Sequence, residues 1–282
     1  MNSDDINPKP AAIKISADQG APSWRESARA VMLAKPAITT ALWRDTGKEA
    51  GGACRGRFFY DAMNDRSAVM KPGFESHGLA EPFREFVASR LAAYLGLRVP
   101  AVELYDRPDG PAALSMVPSK IVLRWGQVMD DETGMPIRGA AIQALESYAG
   151  IVVLDILIMA RDRINKRNHL FAMDREEWFS IDYWQSFELA GEDSFLAPYR
   201  EGHRGPLIDA VRNNPFAIEH TVERVLSLDD DSIDALFTQV GAPFATPMQK
   251  SQMSALLKKR RSSIRDLVND WRDWRAFSKG EQ

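Results

Sequence analysis

Cysteine is nearly absent from this chain: Cys54 stands alone among 282 residues. No intramolecular disulfide can form, which fits a reducing compartment. The marks of several function classes are missing as well. His77, His169, His203 and His220 share no metal-ligand spacing, and neither C-x-x-C nor H-E-x-x-H occurs. There is no G-x-S-x-G elbow of a serine hydrolase and no Walker A loop. Charge of one sign is not in excess. A formal net charge of -3 supplies no electrostatic reason for nucleic acid or an anionic membrane as the main partner. Long hydrophobic runs are lacking too: residues 149–160, the longest, are interrupted by Asp155 and too short to span a bilayer. Residues 1–20 hold no apolar signal-peptide core. A soluble, cytoplasmic protein with no membrane partner is the expectation.

What is present is an ordinary globular composition, 45% hydrophobic and 27% charged, on a chain long enough for two lobes with a real core. One stretch stands out. An apolar run ending at Ala160 gives way to Arg161-Asp162-Arg163-Ile164-Asn165-Lys166-Arg167-Asn168. After His169 come the apolar pair Leu170-Phe171 and, beyond a short linker, Phe179-Ser180-Ile181-Asp182-Tyr183. An acid, an amide and a second acid on apolar supports can hold a divalent ion and orient a hydroxyl, which is the arithmetic of a phosphoryl-transfer loop. The plainer reading is turn chemistry, with Asp182 at a solvated strand end.

Taken in order, residues 1–23 mix Asp, Asn, Pro, Lys and Gly without periodicity and read as a disordered tail. Helical spacing begins at Trp24. Residues 47–56 read as a loose loop, with Gly51, Gly52 and Gly56 in quick succession. It feeds two predicted strands, residues 57–62 and 66–71, turned by Asn64-Asp65. Lys71 ends the second strand, either in solvent or at an anion. Residues 82–95 form a clear helix, with Pro82 in the first turn, Gly96 just past the end, and Phe83, Val87, Leu91 and Tyr94 on one stripe. Glu85 points away from that stripe, towards solvent or towards a partner other than the main core. Strands are predicted at 99–104 and 113–117, and a polar loop at 125–139. A buried helix over 140–160 follows, then a hairpin from Leu170-Phe171 and residues 178–181. Three further helices are expected over 214–226, from Asp231 or Ser232 to Val240, and from Pro247 to the chain's end. On the last, Lys258, Lys259, Arg261 and Arg265 lie opposite the apolar stripe, as a solvated face or a nucleic-acid patch.

Val69-Met70-Lys71-Pro72 followed by Arg84-Glu85-Phe86 and Leu91-Ala92-Ala93-Tyr94-Leu95-Gly96-Leu97-Arg98-Val99-Pro100 resembles the small lobe of HipA-like kinases, bacterial relatives of the protein kinase and phosphoinositide kinase folds. The resemblance runs over about residues 50–270, with Arg84 where the family has asparagine. It implies an α+β, two-lobed protein kinase-like fold. The N-lobe, residues 24–118, would be a small antiparallel sheet with one helix. The C-lobe, residues 119–282, would be mostly helical.

The resemblance also implies ATP and Mg2+ as cofactors and a set of roles. Lys71 would hold the nucleotide's phosphates and pair with Glu85. Gly51, Gly52 and Met116 would lie at the nucleotide, and Asp162 would take the proton of the acceptor hydroxyl. Asp182 with Asn168 or Asn165 would coordinate magnesium. The expected activity is transfer of a phosphoryl group to a Ser or Thr hydroxyl of a protein substrate. The alternative is a catalytically weak, kinase-like binding or regulatory protein. The loop and the segment after it depart from the kinase pattern in three ways: Asn165 and Asn168 follow Asp162 by three and six residues rather than five, Ile164 stands where a histidine is usual, and Tyr183-Trp184 replace Phe-Gly.

Overall fold

The hairpin that Asn64-Asp65 announces is formed by β3 (Gly56–Asp61) and β4 (Arg66–Pro72). Asp65 takes the left-handed backbone the turn requires, with φ 48°. Asp61 secures it from inside, accepting from the Met63 and Asn64 amides, the Asn64 side chain and the Arg66 guanidinium. These hydrogen bonds, Asn64 first and then Arg66, hold the Asp61 carboxyl at about 2. A computed structural model describes residues 23–36, 38–39, 43–51, 56–73, 80–117, 119, 121–130, 132–133, 135–161, 163, 166–187, 206–241 and 243–273. The predicted tail lies almost wholly outside them.

The hairpin belongs to a six-stranded sheet with β1 (Ile38–Thr39), β2 (Arg44–Gly51), β5 (Val102–Arg107) and β6 (Gly110–Met116), in the order β1-β5-β6-β4-β3-β2. All neighbours are antiparallel except β1 on β5. Strands β5 and β6 run further into their shared turn than their apolar residues suggest, because Gly110, at φ 118°, closes it tightly. One face buries a small cluster of Trp43, Phe59, Ala68, Met70, Ala112 and Leu114.

Across the other face lies α2 (Glu81–Leu95), ended by Gly96 at φ 73° in the left-handed cap that glycine favours. Its burial extends well beyond the predicted stripe. The sheet, the helical lobe and α1 (Trp24–Met32) cover it from different sides. The N-lobe thus carries α1, where the helical spacing from Trp24 placed it, beside the one helix that the resemblance implies.

The helical lobe is organised on α4 (Leu145–Ile158), buried from Tyr148 to its end. The single helix predicted over 140–160 is interrupted at Ala144, whose ψ of 26° separates α3 (Ala140–Gln143) from α4. Each aliphatic side chain on α4 adds roughly 1.5–3 kcal/mol of burial, which outweighs the missing side-chain cap at its start. A second sheet, β7 (Val122–Arg124), β8 (His169–Ala172) and β9 (Glu177–Ser180), lies beside it. His169 is buried there against the rings of Tyr148 and Trp125.

Then come α5 (Pro206–Arg212), α6 (Pro215–Leu226) and α7 (Asp230–Thr238), and finally α8 (Pro247–Ser262) and α9 (Ile264–Asp273). Helix α7 is capped by Asp229, earlier than Asp231 or Ser232. The predicted last helix breaks at Ser263. Its basic face meets acids of neighbouring helices: Lys258 pairs with Asp234, Arg261 with Asp230, and Arg265 with Glu219 and Glu223. Among the described residues no helix is long and apolar enough to cross a membrane. One continuous core runs from α2 through α4 to α9, so the helix bearing Glu85 is packed against both the sheet and the helical lobe.

Candidate active site

Strand alternation turns Met70 into the small sheet cluster and Lys71 to the opposite face, under α2. There Lys71 Nζ lies 2.8 Å from Glu85 Oε1 and 2.9 Å from Asp182 Oδ1. Glu85 is 4% exposed, Lys71 15% and Asp182 22%, so the cluster opens on the Asp182 side. Burial opposes the Lys71 charge, but the two carboxylates outweigh it and hold the amine above its ordinary value. Burial lifts Glu85 above the usual carboxylate range; Lys71 pulls the other way and Asp182 adds to the lift. One ammonium between two carboxylates leaves an excess negative charge at the open end.

Asp182 is delivered by β9 and carries φ 69°, uncommon for a residue with a side chain. Such backbone persists where its surroundings impose it. On the α2 side, the Tyr183 amide donates to Glu85 Oε1 at 3.0 Å, and the Arg84 guanidinium donates to the Trp184 carbonyl at 3.1 Å. The asparagine-to-arginine departure therefore has a structural consequence, a second bond between α2 and the segment carrying Asp182. On the far side, Arg163 donates to Ser180 Oγ at 2.6 Å, the Ile181 carbonyl at 2.9 Å and the Asp182 carbonyl at 2.8 Å. Its guanidinium carbon lies 4.4 Å from the centre of the Tyr183 ring, and its Nε 3.7 Å from Asp155 Oδ2. Burial pushes the Asp155 carboxyl up to about 7, with Arg163 and then the Tyr183 hydroxyl pulling against it. Sequence reading missed Arg163. Nothing in a loop with four bases distinguishes the one that turns inward.

Asn168 closes a 3-10 turn, Lys166–Asn168, immediately before β8. It is buried, and its carbonyl accepts from the Ile181 amide at 3.0 Å. Because His169 pairs with Ser180, Asn168, in the turn before β8, and Asp182, two residues past β9, flank the same end of the hairpin. An amide and a carboxylate are hard oxygen donors, and magnesium commonly takes only one or two protein carboxylates with the phosphates supplying the rest. That donor set and the excess negative charge fit a divalent ion. Among the described residues no group of three or more His, Cys, Asp or Glu gathers as a metal cluster.

Asp162, Asn165 and Gly52 lie outside the described residues. Gly51 ends β2 opposite Gly56. Continuing the β3–β4 register from Arg57 and Met70 sets Gly56 across from Lys71, so the glycine-bearing hairpin end lies at the lysine. Met116 is three residues along β6 from Ala113, the partner of Lys71, or about 10 Å at ~3.4 Å per residue. Its amide donates to Ala101, and its side chain lines a groove with Leu97, Val99 and Phe179, apart from the lysine cluster.

The fold has known counterparts. A proinflammatory kinase of Helicobacter pylori, CtkA, superposes with a TM-score of 0.55 at 14% identity, covering 84% of this chain and 98% of that one. HipA of Shewanella oneidensis MR-1, from a toxin–antitoxin complex with HipB and operator DNA, gives 0.43 at 11% identity over 86% of this chain and 68% of that one. The MAP kinase LmaMPK10 of Leishmania major gives 0.31 at 12% identity, covering 86% of each chain. No family profile matches the chain, and no curated protein matches its sequence. The chain has a kinase fold, a strand-rich lobe and a helical lobe with Lys71, Glu85 and Asp182 meeting between them. It is the fold expected from the resemblance to HipA-like kinases.

Proposed function

We propose that this protein is an ATP- and Mg2+-dependent phosphotransferase that acts in the cytoplasm on a Ser or Thr hydroxyl of a protein. One observation carries the reading: Lys71 Nζ is bound at once by Glu85 and Asp182, which lie 14 and 111 residues away in the chain. A lysine so placed binds phosphate oxygens, while Glu85 fixes where its amine can go. Asp182 and Asn168 would hold magnesium, which supplies charge neutralisation across the phosphates when bound. Asp162 would orient the acceptor hydroxyl and take its proton. Gly51 and Gly52 would let the backbone approach the phosphates closely, and Met116 would border the nucleotide's base. Phosphoryl transfer requires mostly positioning and charge stabilisation from the protein, so this small set suffices.

The spacing of six residues between Asp162 and Asn168, against five in kinases, favours a second reading. In it the chain binds nucleotide but transfers nothing, and serves as a kinase-like regulatory protein. A thermal-shift titration with ATP and MgCl2 separates these from a protein with no nucleotide site. Stabilisation of the wild type, lost in Lys71→Met, supports both, since a ligand stabilises the state it binds. Autophosphorylation or transfer to a protein mixture, lost in Asp162→Ala and Asp182→Ala, supports the enzyme. Binding without transfer supports the regulator. Absence of any shift removes both.

A further inference from the structure

Arg163 and Asp155 have no exposed side-chain surface at all. Burying a guanidinium costs several kcal/mol unless its donors are well used. Asp155 takes little of that burden directly: at 3.7 Å from Nε it is an ion-pair partner rather than a close hydrogen-bond acceptor. The close bonds go elsewhere, to Ser180 Oγ and to the carbonyls of Ile181 and Asp182, and the plane lies over Tyr183. A single side chain thus touches four consecutive residues, and the third is the one with left-handed backbone. Arginine suits this task because its planar fork presents several donors in fixed directions and remains charged throughout the physiological range.

The other wall is equally specific. Tyr183 is held through its amide by Glu85 and through its ring by Arg163, and Trp184 is held through its carbonyl by Arg84. The acid-bearing segment is therefore clamped from the helical lobe by Arg163 and from α2 by Arg84 and Glu85. Arg163 is itself anchored, since it follows the end of α4. The left-handed Met159 and the Arg260 guanidinium, donating to the Ile156 and Leu157 carbonyls, fasten that end.

We infer that Arg163 is a positioning residue for the metal-binding acid: it fixes the Asp182 peptide so that the carboxylate projects into the cleft beside Lys71. The inference rests on the reading of Asp182 as a magnesium ligand. Its chemistry is that of an outer-shell group, whose loss commonly lowers metal affinity 10–100-fold while leaving the ligands themselves in place.

The test measures metal binding rather than turnover. Free Mn2+ is followed by electron paramagnetic resonance as the full chain is titrated in the presence of ADP. Arg163→Lys keeps the charge but cannot span three acceptors, and about a tenfold weaker Mn2+ affinity is expected, with an unchanged circular dichroism spectrum. Ser180→Ala removes one of the three bonds and serves should Arg163→Lys fail to fold. A two- to fivefold loss is expected there, with little change in thermal midpoint. A merely structural arginine would lower the midpoint in both variants and leave Mn2+ affinity at the wild-type value, and that result overturns the inference. If the wild type shows no ADP-dependent Mn2+ binding, the fault lies in the reading of Asp182, and the role assigned to Arg163 falls with it.

Discussion

Two charged clusters meet at Asp182, and they are built in opposite ways. Lys71, Glu85 and Asp182 join residues from both lobes, remain partly open to solvent, and place one ammonium between two carboxylates. Asp155 and Arg163 belong to the helical lobe alone, are sealed from water, and lie against Tyr183 and the backbone of residues 181–182. The open cluster has charge left over for a ligand. The sealed one keeps its charges from water and holds a peptide in place. Solvent access separates the two roles: a charge that water can reach is cheap to expose to a ligand, whereas a buried charge is tolerated only where fixed dipoles replace the water.

The largest effect expected from breaking this contrast is on stability, at the sealed cluster. Arg163→Met leaves Asp155 buried without its cation and removes three hydrogen bonds, which should cost about 3–5 kcal/mol in urea denaturation at pH 8. The loss should shrink at pH 5, where Asp155 takes up a proton. At the open cluster the balance should reverse. Lys71→Met should keep more of the stability, because Asp182 opens to water and burial already lifts the Glu85 carboxyl towards its neutral form, while phosphoryl transfer falls by ~100- to 1000-fold for loss of a charge-stabilising donor. A Lys71 variant that unfolds, or an Arg163→Met that remains as stable as the wild type, would erase the distinction drawn here.

A smaller effect concerns pH. The folded-state carboxyl of Asp155 lies at about 7, above its unfolded value near 3.8, so the folded protein binds that proton more tightly. The associated stability is fully present below the unfolded value and is lost as pH rises through about 7. Asp155→Asn should flatten that part of the stability profile, as read by urea midpoints between pH 4 and 8. The smallest change is expected at Asp61, where the sign is opposite. With its folded value near 2, the turn of the β3–β4 hairpin should keep this contribution above pH ~4 and lose it as pH falls towards 2. Hydrogen-exchange protection at the Met63 and Asn64 amides, taken relative to the intrinsic rate at each pH, should fall over that range in the wild type and be low throughout in Asp61→Ala.

The open cluster could be read from the sequence, and the sealed one could not. Lys71 sits at the end of an apolar strand, and Glu85 lies off the stripe of a helix marked by Pro82 and Gly96. Such local patterns survive without tertiary information, and the resemblance to HipA-like kinases, rather than the patterns themselves, paired the two. Arg163 looks like its neighbours Arg161 and Arg167; only the packing of α4 against β9 turns it inward. Periodicity also ran unbroken through Ala144 and Ser263, where the chain in fact bends, because a helical pattern says which residues face a core but not where the core's shape requires a corner. Arg84 was noticed as a departure from the family's asparagine, but its bond to Trp184, a hundred residues away, depends on how α2 lies against the helical lobe.

The helices over 82–95 and 214–226, the hairpin turn and the chemistry available at Lys71, Glu85, Asn168 and Asp182 were determined by the sequence itself, since they follow from local spacing and residue type, whereas the strand over 44–51, read as part of a loose loop, was not. The placement of α2 against both lobes, the left-handed backbone of Asp182 and the inward turn of Arg163 were decided by the tertiary structure. Each of them is costly in isolation and persists only where distant segments supply the burial and the hydrogen-bond acceptors that offset the cost.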